Sequence, residues 1–292
     1  MNIRSLNHFL ALAEHLHFGQ ASVASNISIS ALSRTIRQLE QETGVLLFNR
    51  DNRTVRLTAK GRMFHRYAKD ATRQWREICS ELTDSGDELR GELSLYCSVT
   101  ASHSLLFDLL NRFRPDYPGV EIKLHTGDPE HAISRVVAGE EEIAVAAQPR
   151  SVPRGVEFKT LIVSPLLFIV PVESGELDLP LPGGNGRIRW AQVPMILSEG
   201  GIARARVNEW FRHLGVTPRI YAQVAGNEAI VSMVSLGLGV GVVPEIVLDN
   251  SPLAGSVRIL DVKPGLAPYN VGLCTLKRNQ VNPIVSAFWN LV

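Results

Sequence analysis

Residues 18–37, FGQASVASNISISALSRTIR, constrain this chain more than any other stretch. A short apolar-periodic segment (Phe18, Ala21, Ala24) stops at the polar pair Ser25-Asn26, and a second helical pattern begins after Ser28. Ser28 suits an N-cap, because its hydroxyl can accept a free backbone N–H of the first turn. The second helix is predicted to bury Ile29, Leu32, Ile36 and Leu39, at spacings of three and four. Its other side carries Ser30, Ser33, Arg34 and Arg37. The pattern is that of a helix-turn-helix. Two guanidiniums and two hydroxyls on one face suit a DNA major groove, where Arg pairs with guanine and Ser reaches bases or phosphates. Gln20 and Ser28 join this DNA-facing set. The same face would also serve as an ordinary solvated helix surface.

The flanking sequence supports the DNA reading. Residues 2–16 form a first helix with Leu6, Phe9, Leu10, Ala13 and Leu16 on one face, which completes a three-helix core. Gly44 is a C-cap residue. Asp51-Asn52 then marks a turn between two short extended runs. The two-stranded wing so implied presents Arg50, Arg53 and Arg56, residues that typically meet phosphates or a minor groove. A plain basic hairpin is the alternative. Residues 1–62 hold eight basic and four acidic side chains, whereas the remainder holds 22 and 25. A cationic head on a mildly acidic body points a polyanionic partner at the head.

Thr58 opens a long helix that reaches about residue 85. Phe64, Ala68, Ala71, Trp75, Ile78 and Leu82 form an apolar seam alternating four and three residues apart. Charged flanks keep such a helix from burying the seam against itself, so pairing with a second chain is expected; the seam could instead pack on its own body. Asp84-Ser85-Gly86-Asp87 closes the helix. The expected divisions are 1–58, a DNA-binding head; 59–88, a dimerisation helix; and 91–292.

From Gly91 onward the pattern changes. Strands are expected at 92–99, 120–126 and 142–147, with helices at 103–114 and 129–139 between them. A second series follows: strands at 166–172, 194–199, 219–225 and 239–244, helices at 202–214 and 227–236. Such alternation implies two doubly wound α/β units with parallel sheets. Pro/Gly-rich residues 179–187 read as a surface loop. Open α/β sheets bind ligands at the carboxyl ends of their strands. Here those ends carry Ser98, Thr100, Ala101 and Ser102, then Thr126-Gly127, and in the other unit Ser198-Glu199-Gly200-Gly201 and Gly226-Asn227-Glu228. A small anion is expected between these loops, although the hydroxyls at 98–102 could simply cap the next helix.

Other chemistry finds no support. Gly237, Gly239 and Gly241 follow a helix and enter a strand, the reverse of a dinucleotide fingerprint. There is no HExxH, GxSxG or phosphate-loop motif, so no catalytic residue, metal ligand or cofactor is expected. Cys79, Cys97 and Cys274 have no zinc spacing and an odd count, as expected of reduced cysteines in a cytoplasmic protein. The N-terminal MNIRSLNHFLALAEHL lacks the features of a signal peptide, and the apolar run 161–172 is too short to span a bilayer.

The chain resembles the LysR-type transcriptional regulators. The residues that carry the resemblance are Phe9, Ala13, Phe18-Gly-Gln-Ala, Ser28, the run Ser33-Arg-Thr-Ile-Arg-Gln-Leu-Glu40, Gly44, Leu47-Phe-Asn-Arg50 and Val55-Arg-Leu-Thr-Ala-Lys-Gly61. Ser22, Ser25 and Ile29 depart from the family's usual residues. Further on, PGVEIKLHTGD and NEAIVSMVSLGLGVGVVPEIVLDNSP are similar to members that activate a gene of branched-chain amino-acid synthesis in response to acetohydroxy acids. The resemblance implies a winged helix-turn-helix, a dimerising linker helix and an effector domain like a periplasmic binding protein. It implies double-stranded operator DNA, a small acid effector and RNA polymerase as partners of a homodimer or homotetramer. It also places 91–163 and 268–292 in one effector subdomain and 164–267 in the other. A solute-binding receptor and an α/β enzyme of small acids are the competing readings; the first is opposed by the basic head, the second by the missing catalytic set.

Overall fold

The computed structural model describes residues 1–50, 54–83, 89–172 and 188–292, with backbone only at 76–77 and 80–83. Arg53, the Asp51-Asn52 turn, the 84–87 boundary, the 179–187 loop and the Leu82 side chain lie outside the described residues. The chain divides into two compact units, Met1–Gly91 and Glu92–Val292.

The first unit holds helices α1 (Ile3–His15), α2 (Phe18–Ala24) and α3 (Ile29–Thr43). Strands β1 (Phe48–Arg50) and β2 (Val55–Leu57) pair antiparallel, and α4 (Ala59–Thr83) follows. Asn2 caps α1 in a reciprocal capping box with Ser5. His17 caps α2, its Nδ1 accepting from the N–H of Gly19 and of Gln20 at 3.1 and 3.3 Å. Asn26 takes φ +52° in the turn, a conformation Asn tolerates better than most residues. The core gathers Leu6, Phe9, Leu12, Ala21, Leu32, Ile36, Leu39, Leu47 and Phe48. Ring centroids of Phe9 and Phe64 lie 4.8 Å apart, edge to face, so the start of α4 is part of this core. Gly61 is required there, because a Cβ would collide with the Leu47 carbonyl.

Four sequence expectations change. Ile29 is 54% exposed, because it begins α3 beyond the reach of α1 and α2. Leu12 replaces Leu16 on the buried face of α1; Leu16 ends the helix in a left-handed conformation, exposed. Ala24 is exposed, and Ser22 is buried in α2 with its hydroxyl donating to the Gly19 carbonyl at 2.8 Å. The seam of α4 splits: Ala68 is fully buried in its own chain and Phe64 and Ala71 pack on the same core, whereas Trp75 and Ile78 are about half exposed.

The second unit contains two five-stranded sheets. The first lobe begins with β3 (Gly91–Cys97), α5 (Val99–Ala101), a π-helical turn at 102–106, α6 (Phe107–Asp116), β4 (Val120–Thr126), α7 (Ala132–Ala138), β5 (Ile143–Ala147) and β6 (Val156–Ser164). The second is built from β7 (Leu166–Pro171), β8 (Pro194–Ser198), α8 (Gly201–His213), β9 (Arg219–Val224), α9 (Asn227–Ser235), β10 (Val240–Pro244), α10 (Glu245–Asp249) and β11 (Val257–Leu260). The chain then returns to the first sheet as β12 (Tyr269–Leu276) and ends in α11 (Pro283–Trp289). Sheet orders are β4-β3-β5-β12-β6 and β11-β7-β10-β8-β9. The sheets are mixed, not wholly parallel. β12 runs antiparallel to β5 and β6, and β7 antiparallel to β10 and β11. These antiparallel strands are where the chain passes between lobes or turns back on one. Phe113 against Phe288, with centroids 5.2 Å apart, fixes α11 to the first lobe. The second lobe is filled by Phe168, Trp190, Trp210 and Phe211.

Candidate nucleic-acid interface and effector cleft

Helix α3 presents its polar face as its periodicity requires. Burying Leu32, Ile36 and Leu39 turns Ser30, Arg34 and Arg37 outward, all exposed, with Ser33 half-buried. Ser28 is the N-cap, its Oγ accepting from the Ala31 N–H at 3.2 Å and lying 3.0 Å from Ser30 Oγ. Arg37 Nη2 donates to Ser33 Oγ at 3.1 Å, which restrains that guanidinium on the helix surface. Gln20 is exposed on the preceding helix. Side chains of this type and exposure can donate to base edges and phosphates.

Arg50 stands apart from this group. Its Nη2 donates to Glu40 Oε2 at 2.6 Å, and its guanidinium carbon lies 5.4 Å from the Phe18 ring centroid. The expected phosphate contact thus competes with an ion pair inside the head. Glu40 is buried and holds its tip, while Arg50 and Arg56 are both exposed on the described wing.

In the second unit a cleft opens where both lobes end their strands. A cavity of about 180 Å³ is bordered by Asp128, Glu130, Ser198, Gly200, Gly201 and Asn227. A smaller one of about 50 Å³ is bordered by Ser98, Thr100, Ala101, Leu105, Pro244 and Val247. Pro129, Ala147, Asn227 and Tyr269 line both, so the two are one continuous cleft. Of the expected residues, the cleft gathers Ser98, Thr100, Ala101, Ser198, Gly200, Gly201, Gly226 and Asn227. It does not gather the rest. Ser102 turns its hydroxyl back to the Val99 carbonyl at 2.7 Å. Thr126, Gly127 and Glu199 are exposed away from the cleft lining, their strand ends held by Gly127 N–H to Cys97 O and Glu199 N–H to Val224 O, each at 3.1 Å. Ser98 is also the helix cap, its Oγ accepting from Ala101 N–H at 3.2 Å.

Sequence reasoning missed Asp128, Glu130 and Tyr269. Tyr269 begins the returning strand β12, and burial pushes its phenol above its ordinary range against the opposing charge of Arg206. Among the described residues no Lys or Arg lines the cleft. Arg204 donates to the Ser198 carbonyl (2.6 Å) and Gln223 (2.9 Å), and Arg206 Nη1 to the Ala267 carbonyl (3.2 Å), while Arg206 Nε is buried without a partner among the described residues. An acid held here therefore relies on neutral donors: hydroxyls, the Asn227 amide and backbone N–H groups.

A DNA-reading head joined to a two-lobed sensing domain defines the chain as a ligand-responsive regulator, and family comparison agrees. Residues 3–62 match the bacterial regulatory helix-turn-helix protein, lysR family, and residues 86–292 match the LysR substrate binding domain. The chain belongs to the LysR family of DNA-binding transcriptional regulators. It is 41% identical to the HTH-type transcriptional activator IlvY of Salmonella typhimurium, over all of this chain and 99% of that one. It is 40% identical to the regulator IlvY of Escherichia coli, over the same shares. Full-length CbnR complexed with target DNA has the same fold, with a TM-score of 0.66 at 22% identity, covering 99% of this chain and 98% of that one. Among the described residues no helix is long and apolar enough to cross a membrane.

Proposed function

We propose that the protein is a cytoplasmic transcriptional activator of a branched-chain amino-acid biosynthetic gene, responding to a small carboxylic acid of the acetohydroxy type. The observation that carries this reading is the identity of about two residues in five, end to end, with IlvY activators. The cleft supports the choice of effector: it is small, it lies between lobes that can close, and its donors are neutral. Ser98, Thr100, Ala101, Ser198 and Asn227 are the proposed effector contacts. Ser28, Ser30, Ser33, Arg34 and Arg37 are the proposed DNA contacts, with Gln20 and Arg56 flanking.

The protein acts as a homodimer or a dimer of dimers. Lobe closure on the effector alters how paired heads engage the operator and RNA polymerase. Such coupling requires the effector to favour one of two states. The test is a gel shift with the region upstream of the regulated gene, repeated with 2-acetolactate. Wild-type protein shifts the DNA, and 2-acetolactate alters the complex; Thr100→Val keeps the shift and loses the response. No shift at low salt overturns the reading.

A further inference from the structure

Glu228 ties the second lobe to the first, beside an Arg150–Glu209 ion pair of 2.5 Å that also crosses between them. Thr100 is 7% exposed in α5, just after β3 of the first lobe. Glu228 is half-buried on α9 in the second lobe. The Thr100 backbone N–H donates to Glu228 Oε1 at 3.0 Å, and the Thr100 hydroxyl donates to the same oxygen. Both are charge-assisted hydrogen bonds, the stronger kind. A second carboxylate crosses the other way: Glu130 of the first lobe lies so close to Gly200 that a Cβ there would collide with it.

Thr100 thus offers a carboxylate site, and the chain's own carboxylate fills it. Among the described residues no Lys or Arg lines the cleft, so Glu228 and a second carboxylate brought to the same donors repel each other. The two cannot share them. We infer that Glu228 is an internal competitor: it holds the lobes together through Thr100, and an acid effector binds by putting its own carboxylate in place of that of Glu228. The inference rests on the reading that this cleft takes a small acid. It assigns the ligand class further, to acids whose carboxylate needs only hydroxyl and N–H donors. It also assigns Glu228 the role of setting effector affinity, with no requirement that it touch the bound acid.

The experiment is calorimetric titration of the full-length chain with 2-acetolactate, on wild type, Thr100→Val, Glu228→Ala, Glu228→Gln and the Thr100→Val/Glu228→Ala pair. Removing the competitor should tighten binding in Glu228→Ala by about tenfold, equivalent to about 1.4 kcal/mol. Glu228→Gln should move the same way, since it removes the charge and keeps the shape; it also serves if the alanine variant melts early. Thr100→Val should weaken binding, and removing Glu228 should tighten Thr100→Val by less than it tightens wild type, because only the N–H of residue 100 remains to be freed. Unchanged or weaker binding in both Glu228 variants overturns the competitor, while a loss confined to Thr100→Val leaves the acid-binding cleft standing. If none of the five proteins binds 2-acetolactate, the effector reading fails and the inference falls with it.

Discussion

Glu40 and Arg50 are joined by an ion pair of 2.6 Å that ties the end of the recognition helix to the wing. The other oxygen of Glu40 accepts from the backbone N–H of Leu47 and Phe48 at 3.0 and 3.2 Å. One carboxylate therefore satisfies three donors of the segment that turns from α3 into β1. Its burial is tolerable because each lone pair that matters has a partner.

Arg50→Ala should accordingly act on stability and not on phosphate contact. Glu40 would keep its two backbone donors and lose its counter-charge. The expected cost is about 1–2 kcal/mol, at the low end for a buried pair because Arg50 keeps 26% exposure. Urea unfolding of the head measures it. The slope of log K for operator binding against log salt should stay as in wild type, whereas removing a phosphate contact lowers it by about 1. Arg34→Ala provides the contrast, costing operator affinity with little loss of stability.

The exposure of Ile29 makes a second expectation. Ile29→Ser should change unfolding free energy by less than about 0.5 kcal/mol, as surface substitutions do. Leu32→Ala, three residues on in the core, should cost about 2–5 kcal/mol. Equal losses in the two variants, measured by denaturant titration, would return Ile29 to the core.

That contrast also shows what the sequence makes legible. The period of α3 identifies Leu32, Ile36 and Leu39, but periodicity cannot say where along its axis a helix begins to meet its neighbours, and Ile29 lies before that point. The α4 seam is one stripe in sequence and two surfaces in space, because Phe9 and the α1 face are available only to its first turns. The strand ends at Ser98, Thr100 and Ser198 follow from the general habit of open sheets. Glu130 and Tyr269 do not, since their place in the cleft depends on two lobes and a returning strand that no local pattern announces; Glu228 follows as a strand-end residue, but its partner Thr100 does not. Arg50 looked like its fellow wing arginines because a buried acid ten residues earlier leaves no local mark.

The exposed part of α4 gives a third expectation. Trp75 and Ile78 are 51% and 49% exposed and lie one helical turn apart, with Met63 and Tyr67 exposed earlier on the helix. Assembly through this helix should therefore depend on Trp75 and Ile78 in preference to Ala68. Trp75→Ala/Ile78→Ala should shift the sedimentation equilibrium toward monomer with the head's melting temperature nearly unchanged. Ala68→Leu should instead lower that melting temperature, since overpacking a filled core costs about 1–3 kcal/mol. An unchanged oligomer in the double variant would remove Trp75 and Ile78 from the interface.

The two buried thiols give the last. Cys97 and Cys274 are fully buried, and burial pushes each up to about 12. Reactivity follows the thiolate, so at pH 8 only about one in 10⁴ of either is ionised, against roughly a quarter of an ordinary thiol. Neither should be alkylated by iodoacetamide in the folded protein, and peptide mapping by mass spectrometry reads this directly. The same shift has a sign for stability. The unfolded thiols ionise first, so the stabilisation from keeping them neutral is complete below about pH 8.5 and is lost as pH rises toward 12. Melting temperature should fall between pH 8.5 and pH 10.5 by less in Cys97→Ala/Cys274→Ala than in wild type, measured at a scan rate where unfolding is reversible. An equal fall in both proteins would mean that other groups, the buried Tyr96 and Tyr269 among them, carry the alkaline destabilisation.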